Sequence, residues 1–195
     1  MIDEGYIKFN YDWIDSDINY DISEINEVRD MLFGMNFIGA YDGDIGYGNI
    51  SIRIGDNFLI TGTGTGNLDR LTKKDYSLVT KYDFDKNSLT CNGRIRASSE
   101  SLTHAAIYES DDDINAIIHI HSKELWDGLM DRVPTTSKDI GYGTPEMAYE
   151  LKRFVKVCKQ ANDNIVVMAG HDSGIITFGK NLQEAQDKLM EKNLL

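Results

Sequence analysis

The stretch Asn115-Ala116-Ile117-Ile118-His119-Ile120-His121-Ser122 carries the pattern that decides the fold of this chain. Its isoleucine-rich run follows Asp111-Asp112-Asp113 and is typical of a buried strand. Successive side chains on a strand point to opposite faces, so we expect His119 and His121 on one face. Two imidazoles held side by side form half of a metal site, and nitrogen ligands suit zinc. An isolated H-x-H is more often two ordinary histidines at a strand end, so the rest of the chain has to decide.

Composition bounds the class of protein. The chain has 195 residues, enough for one domain with a sizeable core, and 41% of them are hydrophobic. Its formal net charge of −12 argues against a nucleic-acid partner, because phosphates require a basic surface. The same charge argues against an anionic membrane surface. An anionic substrate must therefore be held by backbone amides, a helix N-terminus or a metal ion.

Three features predict a cytoplasmic protein. Cys91 and Cys158 lie far apart without a C-x-x-C pattern, which fits free thiols in a reducing compartment. The first residues are acidic and aromatic, unlike the basic and then apolar pattern of a signal peptide. No apolar stretch is long enough to cross a bilayer.

The first half of the chain supplies two glycine-rich segments. Residues 42–49 lead into an alternating strand, and Gly55-Asp56-Asn57 indicates a hairpin turn into the next one. Thr61-Gly62-Thr63-Gly64-Thr65-Gly66-Asn67 then offers glycine backbone and threonine hydroxyls, which suit a phosphate cradle. Gly/Thr repeats are also common in ordinary loops, and without a G-K-[ST] sequence this is no P-loop.

A second candidate anion site precedes a helical pattern. In Ser98-Ser99-Glu100 either serine could cap the helix that follows, with Glu100 in its first turn. The structural interpretation is simple capping, and the functional one is an anion-binding helix start beside a carboxylate. His104, one turn later, is expected to be structural.

The second half of the chain adds helix and strand signals. Ser23 upstream and Thr144 before Pro145 are predicted N-caps, and Asn181 with Glu184 predicts a capping box. Residues 164–169 predict a strand, with His171 at its end and a turn after it. We therefore predict an N-terminal arm over residues 1–20 and one domain of mixed α and β over 21–195.

The order of these motifs resembles the class II aldolase/adducin family. The resemblance rests on five motifs in order: Gly48-Asn49-Ile50-Ser51, the loop after Leu59, Ser98-Ser99-Glu100, His119-Ile120-His121 and His171. The likeness runs from about the first helix onward. It implies a three-layer α/β/α domain with a central mixed, largely antiparallel sheet, commonly in a homotetramer.

The resemblance also implies the site. Zn²⁺ or another divalent metal would be bound by His119, His121 and His171, with Glu100 as a further ligand and catalytic base. The substrate phosphate would be held by Gly48, Asn49, Thr63, Gly64, Ser98 and Ser99. Because the Thr/Gly loop is one residue longer than the aldolase pattern, Thr65 and Gly66 are alternatives to Thr63 and Gly64.

The implied reaction belongs to carbohydrate metabolism. A lyase of this kind cleaves a small phosphorylated ketose, such as fuculose 1-phosphate, into dihydroxyacetone phosphate and an aldehyde through a metal-stabilised enediolate. Alternatives on the same scaffold are a pentulose-phosphate 4-epimerase, a sugar-phosphate dehydratase and a non-catalytic adducin-like binding module. The family's aldolases usually carry one further tyrosine on a neighbouring subunit's loop and one in a C-terminal tail. This chain has a short loop after His121 and no tyrosine after Tyr149, so the proton donor stays open.

Overall fold

An eight-stranded sheet runs through the computed structural model, which describes residues 5–193. The strands are β1 (Asn10–Ile14), β2 (Gly39–Tyr41), β3 (Ile45–Tyr47), β4 (Asn49–Ile54), β5 (Asn57–Thr61), β6 (Tyr76–Asp83), β7 (Ser88–Gly93), β8 (Ala116–His121), β9 (Ile165–Val167) and β10 (Gly174–Gly179). The helices are α1 (Ser23–Gly34), α2 (Ser101–Ser110), α3 (Lys123–Leu129), α4 (Pro145–Ala161) and α5 (Leu182–Asn193), and one 3₁₀ turn covers Lys73–Asp75. The main sheet has the order β1-β7-β6-β5-β4-β8-β10-β9, while β2 and β3 form a separate hairpin.

The sheet is mixed because β1 runs parallel to β7, whereas the other neighbouring strands are antiparallel. Each face of the sheet has its own apolar core. Helices α2 and α4 pack on one face, and α1, α3 and α5 contribute to the core on the other. The predicted three-layer α/β/α architecture is confirmed.

Strand β8 lies inside this sheet, between β4 and β10. Its alternation assigns Ile118 and Ile120 to the core of α1 and α5, and Ile117 to the core of α2 and α4. His119 and His121 have the same parity as Ile117, so their imidazoles lie on the α2 side, at the C-terminal end of the strand.

Helix α4 buries one apolar stripe, whereas α2 is buried over eight consecutive residues, Ser101 to Tyr108. In α4 the buried residues recur at helical spacing, among them Met147, Leu151 and Cys158. Thr144 caps this helix as predicted, because its Oγ1 accepts a hydrogen bond from the Met147 amide at 3.3 Å. Within residues 5–193, each helix is too short or too polar to cross a bilayer.

Two capping predictions need correction. Ser23 is the first residue of α1 and not its cap, because the Asp21 carboxylate accepts both the Ser23 amide at 3.0 Å and its hydroxyl at 2.7 Å. Asn181 does cap the last helix, accepting the Glu184 amide at 2.8 Å. Glu184 reaches back to the Lys180 amide at 2.9 Å, one residue before the donor that a capping box uses.

Residues 10–14 of the predicted arm form β1, the edge strand of the main sheet of the predicted domain. Each residue of β1 pairs with one of β7, and Trp13 Nε1 donates to the Gly93 carbonyl at 2.9 Å. Arg94 forms ion pairs with Asp15 and Asp17 just beyond the strand. The first part of the arm, residues 1–4, lies outside the described residues, as do residues 194–195, and the division at residue 20 remains a prediction.

Candidate active site

Three histidines meet at the C-terminal end of β8. His119 and His121 lie on that strand, and His171 lies in the turn that joins β9 to β10. Because β10 pairs with β8 in the register Gly174 to His121, the turn returns beside the strand that carries the other two rings. One ring nitrogen from each of the three lies within 4.8 Å of the others, and all three residues are buried.

Backbone geometry orients His119. Its Nδ1 lies 3.1 Å from the carbonyl oxygen of Ile175 on the neighbouring strand. A carbonyl can only accept, so Nδ1 must carry the proton and Nε2 keeps its lone pair. Nε2 of His119 then lies 3.1 Å from Nε2 of His121.

The electrostatics favour neutral rings. Burial lowers the pKa of His119 well below 6.5, and the nearby His171 lowers it further. Burial and His171 lower the pKa of His121 in the same way. Neutral imidazole is the form that binds a metal.

The donor set therefore fits a divalent cation. Nitrogen ligands of a tetrahedral zinc stand about 3.3 Å apart, close to the 3.1 Å between the two Nε2 atoms. A cation would be held by a lone pair from each of these two nitrogens, at a separation that already suits it. Three imidazoles also leave a coordination position open for substrate, as in catalytic sites.

Glu100 lies beside this cluster. Its side chain is 1% exposed, and Oε1 lies 3.2 Å from Nδ1 of His171. The expectation that a serine caps α2 is wrong: the helix begins at Ser101, and Glu100 itself occupies the N-cap position. Ser98 instead shapes the turn, because its carbonyl accepts both the amide and the hydroxyl of Ser101, at 3.0 and 2.7 Å.

The predicted phosphate residues also come together. Gly48, Asn49, Thr63, Gly64, Ser98 and Ser99 line one small recess, with Gly5, Gly46, Gly62, Thr65 and Gly66. Asn49 is the direct partner of His119 in the pairing of β4 with β8, so the recess adjoins the histidines. The Asn49 Oδ1 atom is buried and has no hydrogen-bond partner among residues 5–193.

Glycine is required where this recess is formed. Gly48 has φ +75°, and a Cβ there would lie 2.8 Å from the Ile38 side chain and 3.0 Å from the Phe37 carbonyl. A Cβ on Gly66 would lie 2.1 Å from the Gly39 carbonyl. The Thr/Gly loop therefore packs against the β2–β3 hairpin with no space between them.

The structure separates the two alternatives in the Thr/Gly loop. Thr65 is buried, and its hydroxyl donates to the Gly62 carbonyl at 2.9 Å. Thr63 and Gly64 are more exposed within the same recess. Thr63 and Gly64 thus present the freer surface to a ligand.

His104 lies outside the metal cluster, as expected. Its Nδ1 lies 2.7 Å from the Ser51 hydroxyl, and burial lowers its pKa to about 3. His104 thus bonds to Ser51 on β4 and is not part of the set of described residues that could hold a metal ion.

Sequence reasoning missed three tyrosines around the cluster. The Tyr41 hydroxyl lies 2.8 Å from Nδ1 of His121, and the Tyr47 ring lies 5.3 Å from the His121 ring. Tyr142 stacks on His171 at 4.5 Å, and the Lys8 ammonium lies 3.7 Å above the Tyr142 ring. The only local signal is that each tyrosine lies in a glycine-containing segment, which does not indicate a contact with a histidine.

The fold and a cluster of three histidines that could bind a metal indicate the class of this protein. The family model of the class II aldolase and adducin N-terminal domain matches residues 43–192, and the chain belongs to this family. Class II aldolases depend on a metal, and the histidine cluster is a set of residues that could bind one.

Particular relatives narrow the comparison. The L-fuculose phosphate aldolase of Methanocaldococcus jannaschii is 28% identical over 155 residues, covering 73% of this chain and 77% of that protein. A solved structure of an L-fuculose 1-phosphate aldolase has a TM-score of 0.66 at 20% identity, covering 91% of this chain and 84% of the other, and supports the fold. A relative named as a probable L-ribulose-5-phosphate 4-epimerase, from Mycoplasma pneumoniae, is 34% identical over 102 residues, covering 50% of this chain and 40% of the other.

Proposed function

We propose that this protein is a zinc-dependent class II aldolase that cleaves a small phosphorylated ketose, of the fuculose 1-phosphate type, to dihydroxyacetone phosphate and an aldehyde. The observation that carries the proposal is the adjacency of three groups. The histidine cluster, the Glu100 carboxylate and the glycine-lined recess meet at one end of the sheet, joined by the pairing of Asn49 with His119.

Each group has a part in the proposed reaction. His119, His121 and His171 would hold the cation, which would supply a Lewis acid for negative charge on the substrate oxygen. The Glu100 carboxylate carries a proton to and from substrate carbon, since it is buried next to the cluster.

The recess holds the phosphate in this proposal. Thr63, Ser98 and Ser99 supply hydroxyls, and Gly48 and Gly64 allow the backbone to approach the phosphate closely. Lysine and arginine are absent from the described residues that line it. Binding through neutral donors explains how an acidic chain with a net charge of −12 can take an anionic substrate.

A 4-epimerase is the second candidate, because the Mycoplasma pneumoniae relative carries that name and matches half of this chain. Glu100 favours the aldolase, since the resemblance places an aspartate there in the epimerase branch. A dehydratase is a weaker alternative. A non-catalytic binding module is disfavoured because it has no need to keep three buried histidines and a buried carboxylate together.

The decisive experiment is a retro-aldol assay on zinc-loaded protein. Fuculose 1-phosphate and other ketose 1-phosphates are supplied, and release of dihydroxyacetone phosphate is followed by a coupled reduction. We expect release that stops when zinc is removed by chelation and returns when it is restored. Interconversion of pentulose 5-phosphates without a three-carbon product would establish the epimerase, and protein that binds no divalent ion would favour the binding module.

Assembly and compartment belong to the same proposal. We infer a homotetramer, because the family resemblance implies one, and a cytoplasmic location, because the two free cysteines fit a reducing compartment. Trp13 and Ile14 on the edge strand are exposed aromatic and aliphatic surface that supports association. Light scattering coupled to gel filtration is expected to give about four times the 22.0 kDa chain mass, and a monomer with full activity would contradict it.

A further inference from the structure

The β2–β3 hairpin places the Tyr41 hydroxyl next to His121, one of the proposed metal ligands. Tyr41 on β2 places its hydroxyl 2.8 Å from Nδ1 of His121, the ring nitrogen opposite the one that faces His119. We propose that Tyr41 is a positioning residue for the metal site. Its hydroxyl oxygen accepts a hydrogen bond from Nδ1–H of His121 when a cation is bound, and its O–H donates a hydrogen bond to Nδ1 when no cation is bound. The inference rests on the metal site of the proposed function.

The hydrogen bonds of the two strand histidines lead to this assignment. The Ile175 carbonyl fixes the proton of His119 on Nδ1, so Nε2 of His119 has a lone pair. Nε2 of His121 lies only 3.1 Å away. Without a cation, these two atoms attract each other only if His121 carries its proton on Nε2. Nδ1 of His121 is then an acceptor, and the Tyr41 hydroxyl donates to it.

A cation between the two nitrogens reverses this arrangement. It requires lone pairs on both Nε2 atoms, so the single proton of His121 leaves Nε2 for solvent and another is taken up at Nδ1. His121 stays neutral, and Nδ1 becomes a donor. The Tyr41 hydroxyl can rotate so that its oxygen accepts the hydrogen bond from Nδ1–H. A carbonyl can only accept and an ammonium can only donate, so either would bond to His121 in only one of the two states.

The hairpin is held firmly enough for this role. Tyr41 and Tyr47 pack with ring centroids 4.6 Å apart, and the Tyr47 hydroxyl donates to the Asn36 carbonyl at 3.3 Å. Gly39 lies directly against Tyr47, since a Cβ on it would be 2.6 Å from the Tyr47 hydroxyl oxygen. The hairpin is therefore fixed beside His121, which it also contacts through the Tyr47 ring at 5.3 Å.

The test compares Tyr41→Phe with Tyr47→Phe. Both variants remove one hydroxyl from the same hairpin, but only the first removes the partner of His121. Zinc affinity is measured by chelator competition, and circular dichroism establishes that each variant is folded. A metal-bound imidazole is a stronger N–H donor than the free ring is an acceptor, so the hydrogen bond to Tyr41 is stronger in the zinc-bound state. We therefore expect Tyr41→Phe to bind zinc about 10–100-fold more weakly, the usual effect of losing a hydrogen-bond partner behind a ligand. Tyr47→Phe should bind as the wild type does.

A second readout follows the proton directly. In ¹⁵N spectra of histidine-labelled wild-type protein, His121 should be the Nε2–H form without metal and the Nδ1–H form with zinc, while His119 is Nδ1–H in both. One tautomer of His121 in both states, or unchanged zinc affinity in Tyr41→Phe, would overturn the proposal. Equal weakening in both variants would overturn it too, in favour of general packing. Failure of wild-type protein to bind zinc would instead overturn the proposed function on which it rests.

Discussion

At the scale of single residues, the Glu100 side chain is held where water hardly reaches it. It is 1% exposed, and one carboxylate oxygen lies 3.2 Å from the His171 ring. Replacement by glutamine keeps the size of the side chain and its ability to accept a hydrogen bond, but removes the proton-carrying group. We expect Glu100→Gln to retain zinc and fold while turnover of the ketose phosphate falls about 10²–10⁴-fold.

The measurement is steady-state turnover at matched zinc content, with circular dichroism for the fold. A glutamine variant as fast as the wild type would exclude Glu100 as the base. If the variant has lost its zinc, the main role of the Glu100 carboxylate is to bind the metal.

The histidines allow a paired comparison. His119 belongs to the histidine cluster that could bind a metal, whereas His104 is equally buried but hydrogen-bonded to Ser51. We expect His119→Ala to leave almost no zinc after dialysis, because two imidazoles and an open face bind much more weakly. His104→Gln is expected to lose stability yet keep one zinc per chain, measured by elemental analysis. Equal zinc content in the two variants would contradict the assignment of the ligands.

At the scale of the elements, the Thr/Gly loop and the hairpin form one packed unit. Because a Cβ on Gly66 would come within 2.1 Å of the Gly39 carbonyl, Gly66→Ala must push two stretches of backbone apart. We expect this to lower the free energy of unfolding by about 1–3 kcal/mol, the usual cost of overpacking. Urea denaturation measures the change.

Gly128 is the matched control. It lies in α3, and a Cβ there meets nothing within 4 Å. Gly128→Ala should be neutral or stabilise by about 0.5–1 kcal/mol, because alanine loses less entropy in a helix. If Gly66→Ala were as well tolerated as this control, the loop and hairpin would not be packed as described.

At the scale of the whole molecule, three of the four buried histidines, His104, His119 and His121, make the metal-free protein sensitive to acid. Burial lowers the pKa of His104 to about 3 and those of His119 and His121 well below 6.5. Below pH 6.5 these histidines are therefore protonated in the unfolded chain but stay neutral in the folded chain. Stability is full above this pH and falls on acidification, by up to about 1.4 kcal/mol per pH unit for each histidine.

Urea denaturation of metal-free protein at pH 7.5, 6.5 and 5.5 measures this loss. The carboxylates whose pKa is lowered, such as Asp17 beside Arg94, lose their contribution only near and below pH 4, outside this range. In His104→Gln the free energy of unfolding should fall less steeply with decreasing pH, because one histidine with a lowered pKa has been removed. Stability that is constant from pH 7.5 to 5.5 would contradict the burial of these rings as neutral groups.

The parts of the fold that depend on local sequence could be predicted well. The isoleucine-rich run predicted the strand, and the two-residue spacing of His119 and His121 predicted their shared face, because side-chain direction on a strand follows from neighbouring residues alone. Thr144 before Pro145 likewise predicted the start of α4. The start of α2 was misplaced, since Ser98 uses its carbonyl on Ser101 and leaves the N-cap position to Glu100.

What the sequence by itself determined is the set of groups that can do chemistry: two imidazoles on one strand face, a carboxylate before a helix and flexible glycine loops. Only the tertiary structure decided that His171 returns beside His119, through the pairing of β10 with β8. It also decided that Tyr41 lies behind His121, and that residues 10–14 join the sheet at its edge. Such contacts join residues far apart in the chain, and their energy comes from packing and pairing that no short stretch of sequence encodes.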